Sequence, residues 1–119
     1  MGKLVMEIES SIGANATTDN VLTGQRFERS PINGWINLFS TGSAAGLREE
    51  LNVGGRAASG GRMPVNSQNR SPVVPDDLRI DEVAVYQGEL IQLTVANTTA
   101  GALTYRARLE IQEAEIDWG

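Results

Sequence analysis

The sequence lacks cysteine and histidine entirely, and it has a single lysine among its 119 residues. Without cysteine there is no disulfide framework and no thiolate metal site. Without histidine the chain also lacks the commonest general base and the commonest metal ligand. Lys3 lies next to the N-terminus, which is a poor place to hold a catalytic group rigidly. These absences predict a protein that is not an enzyme and that carries no metal or other cofactor.

Long hydrophobic runs are missing too. No stretch approaches the roughly 18 apolar residues of a membrane span, and the segment that begins Met1-Gly2-Lys3 is not a signal peptide. The net charge of -5 argues against a general nucleic-acid binder, which needs a positive surface. Nine of the ten basic residues are arginine, whose planar guanidinium suits interface ion pairs, although codon bias would explain the same excess. We therefore expect no nucleic acid and no membrane among the partners.

The clearest positive pattern is a period-two alternation of apolar and polar residues in the last third of the chain. Residues 103–111 and 91–96 both alternate in this way, which is typical of strands with one buried face. Residues 97–101 have the turn-forming composition of a hairpin loop, and a third alternating run ends at the turn Gln87-Gly88. Residues 79–111 are therefore predicted to form three sequential antiparallel strands.

The first half predicts further short strands with less regular alternation. Residues 4–8, 21–27 and 47–53 alternate, and residues 35–39 are apolar on both faces. The leucines of residues 47–53 also fall at helical spacing with a preceding alanine, but the surrounding glycines favour a strand. Seven or eight short strands without helical crossovers predict an all-β fold, an antiparallel β-sandwich of the jelly-roll type, in one domain spanning residues 1–119.

Residues 54–75 interrupt this strand pattern. The stretch holds three of the four prolines and few large apolar residues, so it predicts one long Arg- and Pro-rich loop with a short strand around residues 56–63. Its Gly-x-x-x-x-Gly spacing resembles a phosphate-binding loop, but the Lys-Ser/Thr pair of such a loop is missing. The loop either orders on contact with a partner or simply connects two strands.

Extended segments at residues 1–8 and 113–119 are further candidates for contact with a partner. The second segment is acidic and carries Trp118, and a tryptophan inserted in a partner's pocket is a frequent hot spot of binding. An exposed or locally packed tryptophan is the other interpretation. The residues predicted to bind a partner are Arg56, Arg62, Met63, Arg70 and Trp118.

In its size, its lack of cysteine and histidine and its Gly/Asn/Thr-rich turns, the chain resembles the small β-sandwich cement, or decoration, proteins of tailed bacteriophage heads. Residues 88–106 and the Arg/Pro-rich loop before them carry this likeness, which covers about half of the chain. The resemblance implies a virion structural protein that is made in the bacterial cytoplasm and binds the major capsid protein across subunit seams on the capsid exterior. It also implies a homo-oligomer, a dimer or a trimer, that stabilises the shell and has no catalytic residues.

The aromatic residues leave a second hypothesis open. Trp35 and Phe39 share one face of their predicted strand, and such a pair is typical either of a buried core or of a platform that stacks on sugar rings. The alternative function is therefore a carbohydrate-binding β-sandwich module, with Trp35, Tyr86 or Tyr105 against the sugar. A carboxylate hydrolase would require the acidic residues around 76–82 to converge across a cleft; solvated surface charge is their other interpretation.

Overall fold

The computed structural model describes residues 3–25, 27–57, 63–65 and 78–113. All regular secondary structure in these residues is β-strand, in nine elements. The strands are β1 (Lys3–Ile12), β2 (Thr17–Thr18), β3 (Gly34–Gly42), β4 (Leu47–Val53), β5 (Arg56–Ala57), β6 (Met63–Pro64), β7 (Leu78–Val85), β8 (Ile91–Asn97) and β9 (Leu103–Glu113). The predicted all-β fold is confirmed, and β4 confirms the strand interpretation of residues 47–53 over the helical one.

The strands form two antiparallel sheets. The front sheet has the order β1-β9-β3-β7, and the back sheet has the order β2-β8-β4-β5, with β6 also paired to β4. The chain alternates between the sheets from β1 to β4 and again from β7 to β9, so early and late strands lie side by side. This arrangement is a double-sheet jelly roll, and the predicted β-sandwich is confirmed.

The pairing predicted for residues 79–111 is wrong, although all three strands exist. β7 and β9 lie in the front sheet with β3 between them, whereas β8 lies in the back sheet. Residues 97–101 therefore form an arch between the sheets and not a hairpin loop. Asn97 stabilises this arch, because its Nδ2 donates to Ile12 O at 3.0 Å and to Gly101 O at 2.8 Å. A period-two segment buries one face equally well against either sheet, so the alternation defines a strand without defining its neighbours.

Two predictions for the first half also need correction. Residues 21–25 and 27, predicted as a strand, lie in turns, where Asn20 Oδ1 accepts the backbone N–H groups of Leu22 and Leu93 at 3.0 Å each. The Asn20 side chain here accepts backbone hydrogen bonds that a neighbouring strand would otherwise accept. Residues 3–8 of the predicted N-terminal extension belong to β1 and pair residue by residue with β9. They form part of a sheet and not a free arm.

The core lies between the sheets and is built from the inward-facing residue of each alternating pair. Each apolar side chain buried there stabilises the fold by about 1.5–3 kcal/mol relative to exposure. The fully buried aliphatic side chains include Ile12, Ile36, Leu38, Leu109 and Ile111 of the front sheet and Leu47, Leu51, Ile91 and Leu93 of the back sheet.

One carboxyl group lies inside this core. Glu49 of β4 is fully buried, and Ser40 Oγ lies 2.7 Å from both of its carboxyl oxygens. Tyr105 donates its hydroxyl to Glu49 Oε1 at 2.7 Å. Because Ser40 and Tyr105 belong to the front sheet, these hydrogen bonds link the two sheets across the core. They also offset the cost of burying a polar group.

Candidate functional site

The turn between β7 and β8, residues 86–90, displays two large apolar side chains to solvent. Tyr86 and Leu90 are each 37% exposed. The turn closes through the Glu89 N–H, which donates to Tyr86 O at 3.0 Å. Gly88 has a φ of 86°, a left-handed conformation that glycine adopts without the penalty of a side chain. The turn thus exposes two apolar side chains to solvent at the end of the sandwich.

Neighbouring segments hold the backbone of this turn from two sides. The hydrogen bonds run from Gly88 N–H to Ser30 O at 2.8 Å, from Ser30 N–H to Glu89 O at 3.0 Å, from Gln87 N–H to Asn33 Oδ1 at 2.7 Å and from Gly54 N–H to Leu90 O at 2.9 Å. Residues 30–33 supply the first side, and the turn after β4 supplies the second. A backbone fixed in this way loses little conformational entropy when the turn binds a partner.

Arg56, one of the residues predicted to bind a partner, joins this turn from β5. Its Nη1 and Nη2 donate to Glu89 Oε2 and Oε1 at 2.7 and 3.0 Å, which makes a bidentate ion pair. Its guanidinium carbon lies 5.5 Å from the centre of the Tyr86 ring, within the range of a cation–π interaction. The Arg56 side chain still remains 52% exposed. The guanidinium is therefore oriented by its neighbours and yet accessible from solvent.

The ion pair shifts the pKa values of both partners. The hydrogen bond from Arg56 lowers the pKa of Glu89 below its ordinary value, and the bond from the Tyr86 N–H, at 2.7 Å, acts in the same direction. The same ion pair raises the pKa of Arg56. Both groups are therefore charged at neutral pH.

Gly54 allows the segment that carries Arg56 to lie close to the turn that carries Glu89. Its φ is 59°, and a Cβ atom at this position would collide with the carboxylate of Glu89. Glycine therefore satisfies the backbone conformation and leaves room for the Glu89 side chain beside Arg56.

Trp35, on the outer face of the front sheet, is 41% exposed. It pairs with Ala84 of β7 and Gln112 of β9, and cross-strand partners lie on the same face of a sheet. The interpretation of Trp35 as a core residue is therefore wrong. Its neighbour Gly34 pairs with Val85, so the indole lies at the end of the sheet where the turn begins. The three large apolar side chains exposed in the described part of the chain thus occur at one end of the sandwich.

We call the surface formed by Arg29, Arg56, Tyr86, Glu89 and Leu90 the β7–β8 end. Arg29 is exposed, and its Nη1 donates to Gly88 O at 3.1 Å. The sequence predicted Arg56 from its loop and named Tyr86 for the carbohydrate alternative, but it missed Arg29, Glu89 and Leu90. A tyrosine and a leucine that flank a Gly-containing turn were the signal, because large apolar residues are uncommon in solvated turns.

The remaining predicted residues are placed only in part. Met63 lies in β6, where its backbone pairs with Glu49 of β4. Arg62, Arg70 and Trp118 lie outside the described residues, as does most of the predicted long loop. Of the short strand predicted around residues 56–63, the described residues lie in β5 and β6, both paired with β4, and residues 58–62 lie outside the described residues. Tyr105 is fully buried, so the hypothesis that it stacks on a sugar is wrong.

Within the described ranges, no three acidic side chains come close enough together to hold a metal ion. The same residues contain no helix that is long and apolar enough to cross a membrane. Comparisons with protein-family models, with curated proteins and with solved structures found no match. The function must therefore be inferred from the geometry of the β7–β8 end.

Proposed function

We propose that this chain is a virion structural protein, a head cement or decoration protein that binds the major capsid protein on the exterior of the shell. The observation that supports this proposal is the β7–β8 end, where exposed Tyr86 and Leu90 stand on a turn that is hydrogen-bonded from two sides. Tyrosine, tryptophan and arginine are the residue types most enriched in binding hot spots. A rigid sandwich with such a surface suits a protein that stabilises a shell by adhesion.

The Arg56–Glu89 pair favours a protein partner for the same surface. Because Glu89 already neutralises and orients the guanidinium, Arg56 enters an interface with its counterion beside it. Two of its five N–H groups bind Glu89, which leaves donors on the exposed side for a partner's backbone carbonyl or carboxylate groups. Tyr86 and Leu90 would supply the apolar centre of the contact and Arg56 its polar rim.

The proposal is tested by sedimentation with the heads of the virus that encodes the chain, stripped of this protein. We expect the wild type to bind the heads as a homo-oligomer, a dimer or a trimer by light scattering. The double variant Tyr86→Ala/Leu90→Ala should bind at least about tenfold more weakly, since hot-spot truncations each cost more than about 1 kcal/mol. Glu7→Ala/Ser11→Ala, which changes two exposed residues of β1, is the matched control and should bind normally. Failure of the wild type to sediment with the heads would refute the proposal.

Trp35 favours carbohydrate binding as a second candidate function. Its indole is exposed on the outer face of the front sheet beside a small residue, Ala84, and an aromatic ring offers a sugar an amphipathic surface for stacking. The variant Trp118→Phe leaves Trp35 as the only tryptophan, so its fluorescence can be titrated with soluble oligosaccharides. Saturable quenching in this variant would support this function, and a flat titration would exclude it for the sugars tested.

A further inference from the structure

Among the sheet edges that the structure describes, β1 is the one that is both long and regular. On the back sheet, β2, β5 and β6 are each two residues long, and β7, the other edge of the front sheet, shifts its register against β3 twice. β1 instead pairs with β9 over ten residues without a shift and contains no proline. Proteins commonly shorten or bulge an edge strand to prevent pairing with another chain. β1 has neither of these protections.

The backbone groups of alternate β1 residues point away from the sheet. The Ser43 N–H donates to Thr104 O at 2.9 Å in continuation of the β3–β9 register, so even-numbered residues of β9 bond to β3. Odd-numbered residues of β9 then bond to the even-numbered residues of β1 that lie opposite them. The N–H and C=O groups of the odd-numbered β1 residues therefore point outward, where Val5 already has a further contact and no described strand is paired.

The charged side chains of β1 leave this edge accessible. Lys3 Nζ lies 3.2 Å from Glu110 Oε1, and Glu9 Oε1 lies 2.9 Å from Arg106 Nη2. Because Glu110 and Arg106 belong to β9, both contacts direct the β1 side chains over the sheet and not across its edge. The side chains of Lys3 and Glu9 are nevertheless 49% and 60% exposed, so each can also meet a charge on a neighbouring strand.

The inner face of β1 is incompletely covered. Met6 and Ile12 are buried, whereas Leu4 and Ile8, which pack against the same core, are only partly buried. A strand added at the open edge would cover the exposed part of both side chains, and the burial of apolar surface favours association. Main-chain hydrogen bonds between the two strands would add to the affinity. The edge is therefore suited to strand addition.

We propose that β1 pairs antiparallel with β1 of a second copy of this chain, about a two-fold axis at Met6. In this register Lys3 lies opposite Glu9 of the second copy, so two pairs of opposite charge form on the outer face. Leu4 lies opposite Ile8 of the second copy, so the partly buried side chains cover each other on the inner face. Both faces of the strand are complementary to themselves, which favours a second copy over an unrelated strand.

Other registers fit less well. An axis at Glu7, Ile8 or Glu9 sets a glutamate opposite a glutamate of the second copy, and like charges directly opposite each other destabilise a sheet. An axis at Val5 leaves Ile8 opposite Gly2, which has no side chain. An axis between two residues would turn the apolar side chains of one copy toward solvent. The proposed register satisfies the charges and the apolar side chains together.

The dimer would carry two β7–β8 ends. Val85 pairs with Gly34, and Gly34 pairs with Glu113, so this end of each copy lies near the start of β1. Because the two β1 strands run antiparallel, the β7–β8 ends lie at opposite corners of one continuous sheet, which is roughly 30–35 Å wide at the usual strand spacing. One dimer would then bridge two capsid subunits. This bridging role rests on the proposed function, whereas the pairing does not.

The pairing is tested by sedimentation velocity from micromolar to millimolar concentration, where we expect the wild type to reach twice the mass of one chain. Lys3→Glu and Glu9→Lys should each dimerise at least about tenfold more weakly, because each sets like charges opposite each other in both pairs. An equimolar mixture of the two variants should dimerise again, since every opposed pair then has opposite charges. Glu7→Ala/Ser11→Ala is the control and should dimerise within about twofold of the wild type. Circular dichroism checks that each variant folds.

A single cysteine tests the register, because the chain has no cysteine of its own. Met6 and its copy form a non-hydrogen-bonded pair with Cα atoms about 4.5 Å apart, within the range of a disulfide. We expect Met6→Cys to give a covalent dimer on mild oxidation and Ile8→Cys, on the same face of the strand, to give little. A mixture of Ile8→Cys and Leu4→Cys should cross-link, because these positions lie opposite each other.

Three results would overturn the pairing. A wild type that stays monomeric at millimolar concentration would show that β1 does not pair with itself. Failure of the mixed Lys3→Glu and Glu9→Lys variants to dimerise would show that these two residues do not face each other. Equal cross-linking of Met6→Cys and Ile8→Cys would show that the axis is not at Met6.

Binding to stripped heads tests the bridging role separately. Lys3→Glu should bind the heads at least about tenfold more weakly than the wild type, because a monomer loses the second point of attachment. Its mixture with Glu9→Lys should recover the binding. Equal binding by monomer and dimer would overturn the bridging role. A chain that dimerises but binds no heads would refute the proposed function and leave the pairing standing.

Discussion

At the scale of single residues, two glutamates have opposite environments and opposite roles. Glu49 is fully buried and contacts hydroxyl groups of the other sheet. Glu89 lies at the surface and holds Arg56. The first carboxyl links the two sheets through the hydroxyl groups of Ser40 and Tyr105, and the second orients a charged side chain for contact from outside. Substitutions around the first should change stability, and substitutions around the second should change binding.

Removal of the Tyr105 hydroxyl tests the buried network. Tyr105→Phe deletes the hydrogen bond to Glu49 Oε1 and leaves a buried carboxyl oxygen with one partner fewer. We expect the free energy of unfolding in urea to fall by about 1–3 kcal/mol. Tyr86→Phe makes the same chemical change at an exposed tyrosine and should change stability by less than about 0.5 kcal/mol. Equal losses in the two variants would contradict a special role for the buried bond.

Titration of Glu89 tests the surface ion pair. The hydrogen bond from Arg56 lowers the pKa of Glu89, so its stabilising contribution is complete above the ordinary glutamate pKa of about 4.3. That contribution is lost as the pH falls through the lower pKa of the folded state. We expect the Glu89 Cδ resonance to titrate below the usual range in ¹³C NMR spectra and to move back up in Arg56→Gln. An unchanged midpoint in that variant would show that Arg56 is not the cause.

At the scale of elements, the contact between β3 and β9 depends on the absence of a side chain at Gly34. A Cβ atom there would collide with the backbone carbonyl group of Gln112 in β9. The two strands pair through nine consecutive residues from Gly34 to Gly42, so a collision at one end displaces the segment that carries Trp35. The close approach of these strands is therefore also a requirement of the candidate site.

Gly34→Ala tests this close approach. We expect the variant to lose about 1–3 kcal/mol of stability, which is the usual cost of forcing extra atoms into a packed site. Gly101→Ala is the matched control, because a Cβ atom at Gly101 meets nothing within 4 Å. The control should lie within about 0.5 kcal/mol of the wild type. A stable Gly34→Ala variant would show that β9 shifts without cost.

At the scale of the whole molecule, strands distant in sequence form the longest pairing. β1 pairs with β9 over ten residues, from Lys3↔Gln112 to Ile12↔Leu103. The entropy of closing such a loop must be overcome before the contacts form, so sandwiches of this kind fold slowly. We expect refolding in milliseconds to seconds, measured by stopped-flow tryptophan fluorescence and separated from proline isomerisation, which takes about 10–100 s. Refolding within microseconds would contradict this topology.

The difference between local and distant contacts also explains why the sequence predicts the strands themselves better than it predicts how the strands pair. Residues 91–96 and 103–111 were identified as strands because alternation needs only near neighbours. Their separation into two sheets was not predicted, because it depends on β2, β4, β1 and β3, which lie far away in the chain. Arg56 was singled out by its loop, yet its partner Glu89 is 33 residues away. No spacing rule connects two residues at that separation.

The pairing of Lys3 with Gln112 also means that the first and last strands of the sandwich are neighbours in space. A short linker could join β9 to β1, and new ends could be opened at the exposed turn between Thr23 and Gly24. In such a circular permutant the most distant pair of strands becomes a hairpin, and its contacts become local. The permuted chain should keep the same two sheets and fold faster than its parent. The order of the strands along the chain is thus separable from the fold that the strands form.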